Sequence, residues 1–141
     1  MPEQRVPPEG RLLAVDWGTK HIGLAVTDPT RTIAQPLATL TRRAGRRFPM
    51  QQLRRWLDEY APTGVIVGLP LTPEGAEGPA AQAARAAAEL IAAKTGLPVV
   101  LVDERMTTAL AARADAVGGR VDRDQRAAAI LLQAYLERER P

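Results

Sequence analysis

The chain has 141 residues, a formal net charge of +3 and no cysteine. That length supports one domain with a real core rather than two, and the lack of cysteine removes disulfides, thiolate metal sites and cysteine nucleophiles together, which fits a reducing cytoplasm. No run approaches the roughly twenty apolar residues of a membrane span, and the polar, proline-bearing stretch Met1 to Arg11 lacks the apolar centre of a signal peptide.

Hydrophobic residues make up 45% of the chain but aromatics only 4%, so Ala, Leu, Val and Ile must build the core. Only Lys20 and Lys94 are lysines. Nearly all the positive charge is therefore arginine, and its placement says more than its sum.

In chain order, residues 1–10 read as a flexible N-terminal lead-in and 11–141 as a single domain. Residues 11–17 and 21–27 are the first two strands, arranged as a hairpin. The run Leu12-Leu13-Ala14-Val15 delivers Asp16 to the end of a buried strand, and Gly18 lets the backbone turn. A carboxylate there needs compensation. Either a bound divalent metal supplies it, or Asp16 accepts hydrogen bonds from the turn Gly18-Thr19-Lys20; this stretch alone leaves both open. After the turn 28–31, residues 32–40 form a weaker strand that Pro36 marks as an edge, completing an antiparallel meander.

A cluster follows: Arg42, Arg43, Arg46 and Arg47, then Phe48, with Arg54 and Arg55 in a helix from about 49 to 60. It reads either as a phosphate-tracking patch or as a solvated face. Leu53, Trp56, Leu57 and Tyr60 mark that helix's buried side. Residues 63–69 form a β-branched strand without alternation, as expected of a strand covered on both faces. A turn-rich loop, 70–78, leads to an alanine-rich helix over about 80–95, which Gly96 terminates. Glu74 and Glu77 in that loop are expected to be exposed. Residues 98–102 form the last strand and deliver Asp103, Glu104 and Arg105. A helical stretch at 109–116, a break at 117–121 and a final helix over about 123–139 complete the chain. A meander followed by two strand–helix–strand units predicts an α/β fold. Its mixed five-stranded sheet has an antiparallel three-strand meander, then two parallel strands, with helices on both faces.

Acids stand in three places: Asp16, the pair Asp103 and Glu104, and the pair Asp122 and Asp124. Ligands in open α/β sheets bind where strand ends form a rim. The final helix should bury Ala127, Ala128, Ile130, Leu131, Ala134 and Tyr135. Asp124 lies two turns before Leu131 and points at the sheet, whereas Asp122 suits an N-cap with Gln125 as its capping-box partner. Such acids suit Mg²⁺ or Mn²⁺, and a pair of ions about 4 Å apart can activate water and stabilise the leaving oxygen of a phosphodiester. Lys20 and Arg105 stand beside the acids as candidate phosphate contacts, with an ion pair to a neighbouring carboxylate as the other reading of Arg105. Thr107 and Thr108 suit an N-cap. His21 suits a surface position at a strand start.

Four blocks resemble one family. They are the stretch from Val15 to Asp28, Val67-Gly68-Leu69-Pro70-Leu71, the stretch from Val102 to Thr108, and Asp124-Gln125-Arg126-Ala127-Ala128 with Ile130, Leu131, Leu132 and Tyr135. In this order they resemble the YqgF (RuvX) family, described both as Holliday junction resolvases and as pre-16S rRNA nucleases with an RNase H-like fold. The resemblance implies Asp16, Glu104 and Asp124 as catalytic, metal-binding acids, and a central first strand. Two positions depart from the family pattern. His21 stands where Arg or Lys is usual, and Thr72 where Asn is usual.

The function expected is a metal-dependent nuclease acting on RNA or DNA, in pre-16S rRNA 5′-end processing or branched-DNA processing. A non-catalytic nucleic-acid-binding module in transcription or ribosome assembly is the alternative. An ATP-binding protein of the actin type would need a second lobe, for which the chain is too short. A junction resolvase needs two active sites related by a two-fold, hence a homodimer.

Overall fold

A computed structural model of the chain describes residues 6–17, 21–41, 48–107 and 123–139. The helical stretch expected at 109–116 and the break after it lie outside the described residues. The elements are β1 (Leu12–Asp16), β2 (His21–Thr27), β3 (Ala34–Thr41), α1 (Met50–Tyr60), β4 (Gly64–Leu69), α2 (Pro79–Thr95), β5 (Val99–Asp103) and α3 (Arg123–Glu139). A 3-10 turn, Glu104–Thr107, follows β5 directly.

The sheet has five strands in the order β3-β2-β1-β4-β5, so β1 is central. β1, β2 and β3 pair antiparallel, while β4 and β5 add in parallel. The expected meander and parallel pair are both present. β3 is an edge strand whose register slips opposite Leu24 and Ala25, where Pro36 interrupts the ladder.

Strand alternation divides the core in two. Leu13 and Val15 of β1 join Ile22, Leu24, Val65 and Val67 under Leu53 and Leu57 of α1 and the alanine stripe of α2. Leu12 and Ala14 join Ala25 and Ile66 under Ala128, Leu131, Leu132 and Leu136 of α3. Both faces are covered, which is why β4 reads as an unbroken apolar run.

Two helix faces differ from expectation in detail. In α1 only Leu53 and Leu57 are fully buried. Trp56 and Tyr60 are half-buried because arginines cover them: the Arg55 guanidinium lies 5.0 Å from the Trp56 ring centroid, and Arg11 lies 5.5 Å from that of Tyr60. In α3 the buried stripe is Ala128, Leu131, Leu132, Ala134 and Leu136, leaving Ala127, Ile130 and Tyr135 half-buried. The stripe is turned toward Leu132 and Leu136 because α3 crosses β1, β2 and β3 rather than β1 alone.

The turn after β2 anchors the start of the domain. The Asp28 carboxylate accepts bonds from the Thr32 and Ile33 amides, each at 2.8 Å, and from the Thr30 amide and hydroxyl. The Ile33 amide and the Thr30 hydroxyl, above all, hold this carboxyl far below the usual carboxylate range. Arg31 follows in left-handed backbone, φ 59°. Its guanidinium donates to the Gly10 carbonyl at 2.7 Å and the Glu9 carbonyl at 3.1 Å. Val6 packs against the α3-side core. Of the stretch read as a lead-in, residues 6–10 are thus held to the fold, and 1–5 lie outside the described residues. Among the described residues no helix is long and apolar enough to cross a membrane.

The short turns that lead from α1 to β4 and from α2 to β5 both begin with a left-handed residue. Gly96 ends α2 as expected, its N–H reaching the Ala92 carbonyl at 2.9 Å. Ala61 ends α1 in the same conformation, φ 46°, with a side chain that L-residues carry there at a cost. Ala61→Gly is expected to raise unfolding stability by about 0.5–1 kcal/mol in urea titration, the relief of that strain exceeding the entropy glycine adds to the unfolded chain.

Candidate active site

Strand period places the first acid. Leu12 and Ala14 face α3, so Asp16, two residues further on, faces it too. Asp16 pairs with Gly23 of β2, and Val15 pairs with Val67 of β4, so Gly68 lies one step along on the other flank. On the α3 face, Asp16 therefore stands between two residues without side chains.

Those absences carry the geometry. A Cβ on Gly23 would lie 1.8 Å from the Asp124 carbonyl oxygen and 2.4 Å from its carbon, so the first turn of α3 rests directly on the β2 backbone. A Cβ on Gly68 would lie 2.5 Å from Oε1 of Glu104 and 3.0 Å from a Leu131 methyl, so Glu104 fills the slot that Gly68 leaves. One glycine admits the helix that carries Asp124. The other admits the side chain of Glu104.

Asp16 and Glu104 meet in a hydrogen bond. Burial raises the Asp16 carboxyl; the bond from Glu104 works against this and the charge of Asp124 adds to it. Burial likewise raises Glu104, and the bond to Asp16 and the charges of Asp16 and Asp103 push it further, up to about 9. Both carboxyls are therefore held above their ordinary values, Glu104 further by the charges beside it. Asp124 is half-buried in the first turn of α3, where the helix dipole favours an acid. Asp16 and Glu104 are in contact, with Asp124 on their flank. Among the described residues no three His, Cys, Asp or Glu side chains are gathered into a group that could hold a metal ion.

Asp103 reaches this cluster through its charge, which acts on Glu104. It binds Arg105 at 2.7 Å, which above all holds its carboxyl low. Arg105 is accordingly in the ion pair that the sequence left as one of its two readings, and its Nη1 also donates to the Pro73 carbonyl at 3.2 Å. His21 is exposed at the start of β2. Glu74 is exposed, and Glu77 is exposed and paired with Arg85 at 2.6 Å. The hydroxyl of Thr72 accepts the Ala76 amide at 3.0 Å. Lys20, Arg42, Arg43, Arg46, Arg47, Thr108 and Asp122 lie outside the described residues, as does the proposed cap by Asp122.

Sequence reasoning passed over three features. Gly23 and Gly68 had a signal, a lone glycine inside a strand, which marks close approach of another chain segment. Trp17 stacks on Phe48, with ring centroids 5.7 Å apart and planes 17° apart, so Phe48 sits against the residue next to Asp16. Arg54 donates to the Lys94 carbonyl at 3.1 Å and so caps the end of α2; within the basic stretch it has a structural task.

Gly23→Ala sets a new methyl against backbone and is expected to cost about 2–3 kcal/mol in urea titration. Gly68→Ala meets the end of a flexible carboxylate and should cost about 1 kcal/mol. Glu104 has a second consequence. Its folded value lies above its ordinary 4.5, so the stability it confers is whole below about pH 4.5 and is lost as pH rises through about 9. In chelator, the thermal midpoint should fall between pH 5 and pH 9, and Glu104→Gln should flatten that fall.

Comparison with known proteins agrees with this architecture. A family model described as "RuvX: Holliday junction resolvase" matches residues 10–138. A protein of Dictyoglomus thermophilum named "Putative pre-16S rRNA nuclease" is 38% identical over 134 residues, covering 90% of this chain and 95% of that one. A protein of the same name from Streptomyces coelicolor is 45% identical over 140 residues, covering 93% and 82%. Among solved structures, T. thermophilus RuvC in complex with a Holliday junction substrate superposes with a TM-score of 0.58 at 18% identity, covering 92% of this chain and 96% of that one. That likeness is one of fold, the RNase H-like sheet with its helices. With its family model spanning nearly the whole sequence, this chain belongs to the RuvX family.

Proposed function

We propose that the protein is a cytoplasmic, divalent-metal-dependent nuclease whose Asp16, Glu104 and Asp124 hold Mg²⁺ or Mn²⁺ and cut phosphodiester bonds, with the 5′ flank of pre-16S rRNA as first substrate and branched DNA as second. Membership of a family of nucleases gives the reaction class, hydrolysis of an ester bond. One observation supports this site above others: two desolvated carboxylates, Asp16 and Glu104, are forced together beside a third, Asp124. Such crowding is costly unless a proton or a cation neutralises it.

The donor set fits a hard cation. All three candidates are carboxylates, and Oε1 of Glu104 is shielded from solvent in the Gly68 slot. When bound, the ions would supply an activated water and charge stabilisation at the leaving oxygen. The chain's own residues do the remainder. Gly23 and Gly68 fix where the acids stand. Asp16 and Glu104, both raised by burial, would hold the cation with their carboxylates once it takes the place of any proton there. Lys20 and the arginines at 42, 43, 46 and 47 meet the nucleic-acid backbone as charge. That stretch is flanked by Thr41, which pairs with His21, and by Phe48, which stacks on Trp17 next to Asp16. Both flanks support a track that leads to the acids. A two-fold substrate such as a four-way junction would be served by a homodimer.

The test is cleavage of four labelled nucleic acids with Mn²⁺ and with Mg²⁺: a pre-16S rRNA 5′-leader transcript, single-stranded RNA, single-stranded DNA and a four-way junction. Cutting of the transcript is expected. It should stop with chelator and fall at least about 1,000-fold in Asp16→Asn, since loss of a metal ligand removes several kcal/mol of transition-state stabilisation. Ion-dependent cutting confined to the junction would replace the RNA assignment with the DNA one. Binding without cutting under every ion would favour the non-catalytic module.

A further inference from the structure

The two residues on either side of Glu104 are bound to each other. The Arg105 guanidinium engages Asp103 through Nε at 3.1 and 3.0 Å and through Nη2 at 2.7 Å. The Arg105 amide also donates to Oδ1 of Asp103 at 2.9 Å, closing a small turn around Glu104. The same guanidinium holds the loop between β4 and α2. Its Nη1 bonds the Pro73 carbonyl, and the backbone of Gly75, φ 87°, lies against it, so that a Cβ there would be 3.5 Å from Nη1. That loop is a compact miniature hairpin. Leu71 bridges Glu77, Thr72 and Ala76 bond each other, and the Gly75 amide reaches the Thr72 carbonyl at 2.8 Å. Its far limb is clamped to α2 by the pair of Glu77 with Arg85.

We infer that Arg105 is a positioning residue: paired with Asp103 and bonded to the loop 70–78, it fixes the backbone of Glu104 and makes that loop a rigid wall beside the acids, rather than serving as a ligand for substrate phosphate. The inference rests on the nuclease reading above. Three observations carry it. The guanidinium engages its carboxylate partner two-fold, a geometry that lysine cannot copy. The Arg105 amide and guanidinium both close on Asp103, so the bound pair brackets Glu104 in the chain. The loop they hold continues directly from Gly68 and Leu69, whose missing side chain at 68 shapes the Glu104 slot.

The experiment compares Arg105→Gln, Arg105→Lys, Asp103→Asn and the double variant Asp103→Asn/Arg105→Gln. Asp103→Asn keeps the side-chain acceptor for the Arg105 amide and removes only the charge. Cleavage of the pre-16S rRNA leader transcript is followed with Mn²⁺ at several salt concentrations, and amide hydrogen exchange is followed in the same proteins without nucleic acid. Each single variant is expected to lose kcat by about 10- to 100-fold with KM little changed, as displaced catalytic groups do. The salt slope should be that of the wild type, the double variant should be no worse than either single one, and Arg105→Lys should not restore activity. Exchange of the Gly75 and Ala76 amides should quicken in all four. A raised KM and a shallower salt dependence in Arg105→Gln, with Asp103→Asn silent, would instead make Arg105 a phosphate contact and overturn the inference. Unchanged exchange at Gly75 and Ala76 would overturn it as well. If the wild type leaves the transcript uncut, the functional proposal fails for that substrate, and the exchange result still decides whether Arg105 holds the loop.

Discussion

Close approach of a helix to a sheet is the constraint on which this molecule depends. α3 packs across β1, β2 and β3, and its first turn touches the sheet at Gly23, where no side chain stands between the two backbones. Had β2 carried any other residue there, α3 would ride higher, and Asp124 would move away from Asp16. On the opposite flank of β1, Gly68 does for a side chain what Gly23 does for a helix. The sheet is otherwise tightly packed, with Leu12, Leu13, Ala14 and Val15 fully buried up to the residue before the acid. Room for charge therefore exists at one end of the central strand, and it was made by subtraction.

Electrostatics then sorts the acids. Among the described residues, four carboxylates lie near the ends of β1 and β5 and the start of α3. One of them, Asp103, is paired with Arg105. Asp16 and Glu104 act on each other through a hydrogen bond and their charges, and the charge of Asp124 adds to the crowding at Asp16. A fold selected for stability alone would not keep such a cluster, because a buried like-charge group opposes folding at neutral pH. Crowding of this kind is a cost in stability that functional sites often carry.

Much of this was legible in the sequence, for physical reasons that differ from element to element. The apolar run of β4, the Gly96 stop of α2 and the proline of β3 each state a local rule that the fold obeys. The expectation that Asp124 points at the sheet rests on helix period alone, and Asp124 does act on Asp16, while Asp122 lies outside the described residues. Neither the half-exposure of Trp56 nor that of Tyr60 could be read in this way. Their spacing marks a buried face, but Arg55 and the distant Arg11 supply the cover, and a contact between residues 11 and 60 leaves no local trace. The ion pair of Arg105 with Asp103 is local, two residues apart, but its bond to the Pro73 carbonyl is tertiary, since Pro73 is near Arg105 only because β4 and β5 run side by side. The glycines at 23 and 68 were visible as residues, yet what they make room for lies far along the chain, at 124 and 104.

The stacked pair of Trp17 and Phe48 gives the protein a built-in optical reporter. Trp17 follows Asp16 directly, while the other tryptophan, Trp56, lies on α1 beneath Arg55. Indole emission depends on the field and the water around the ring, so charge arriving at Asp16 alters the light from position 17 more than that from position 56. With Trp56 replaced by phenylalanine, the colour and intensity of the remaining fluorophore track the state of the acidic cluster without any added dye.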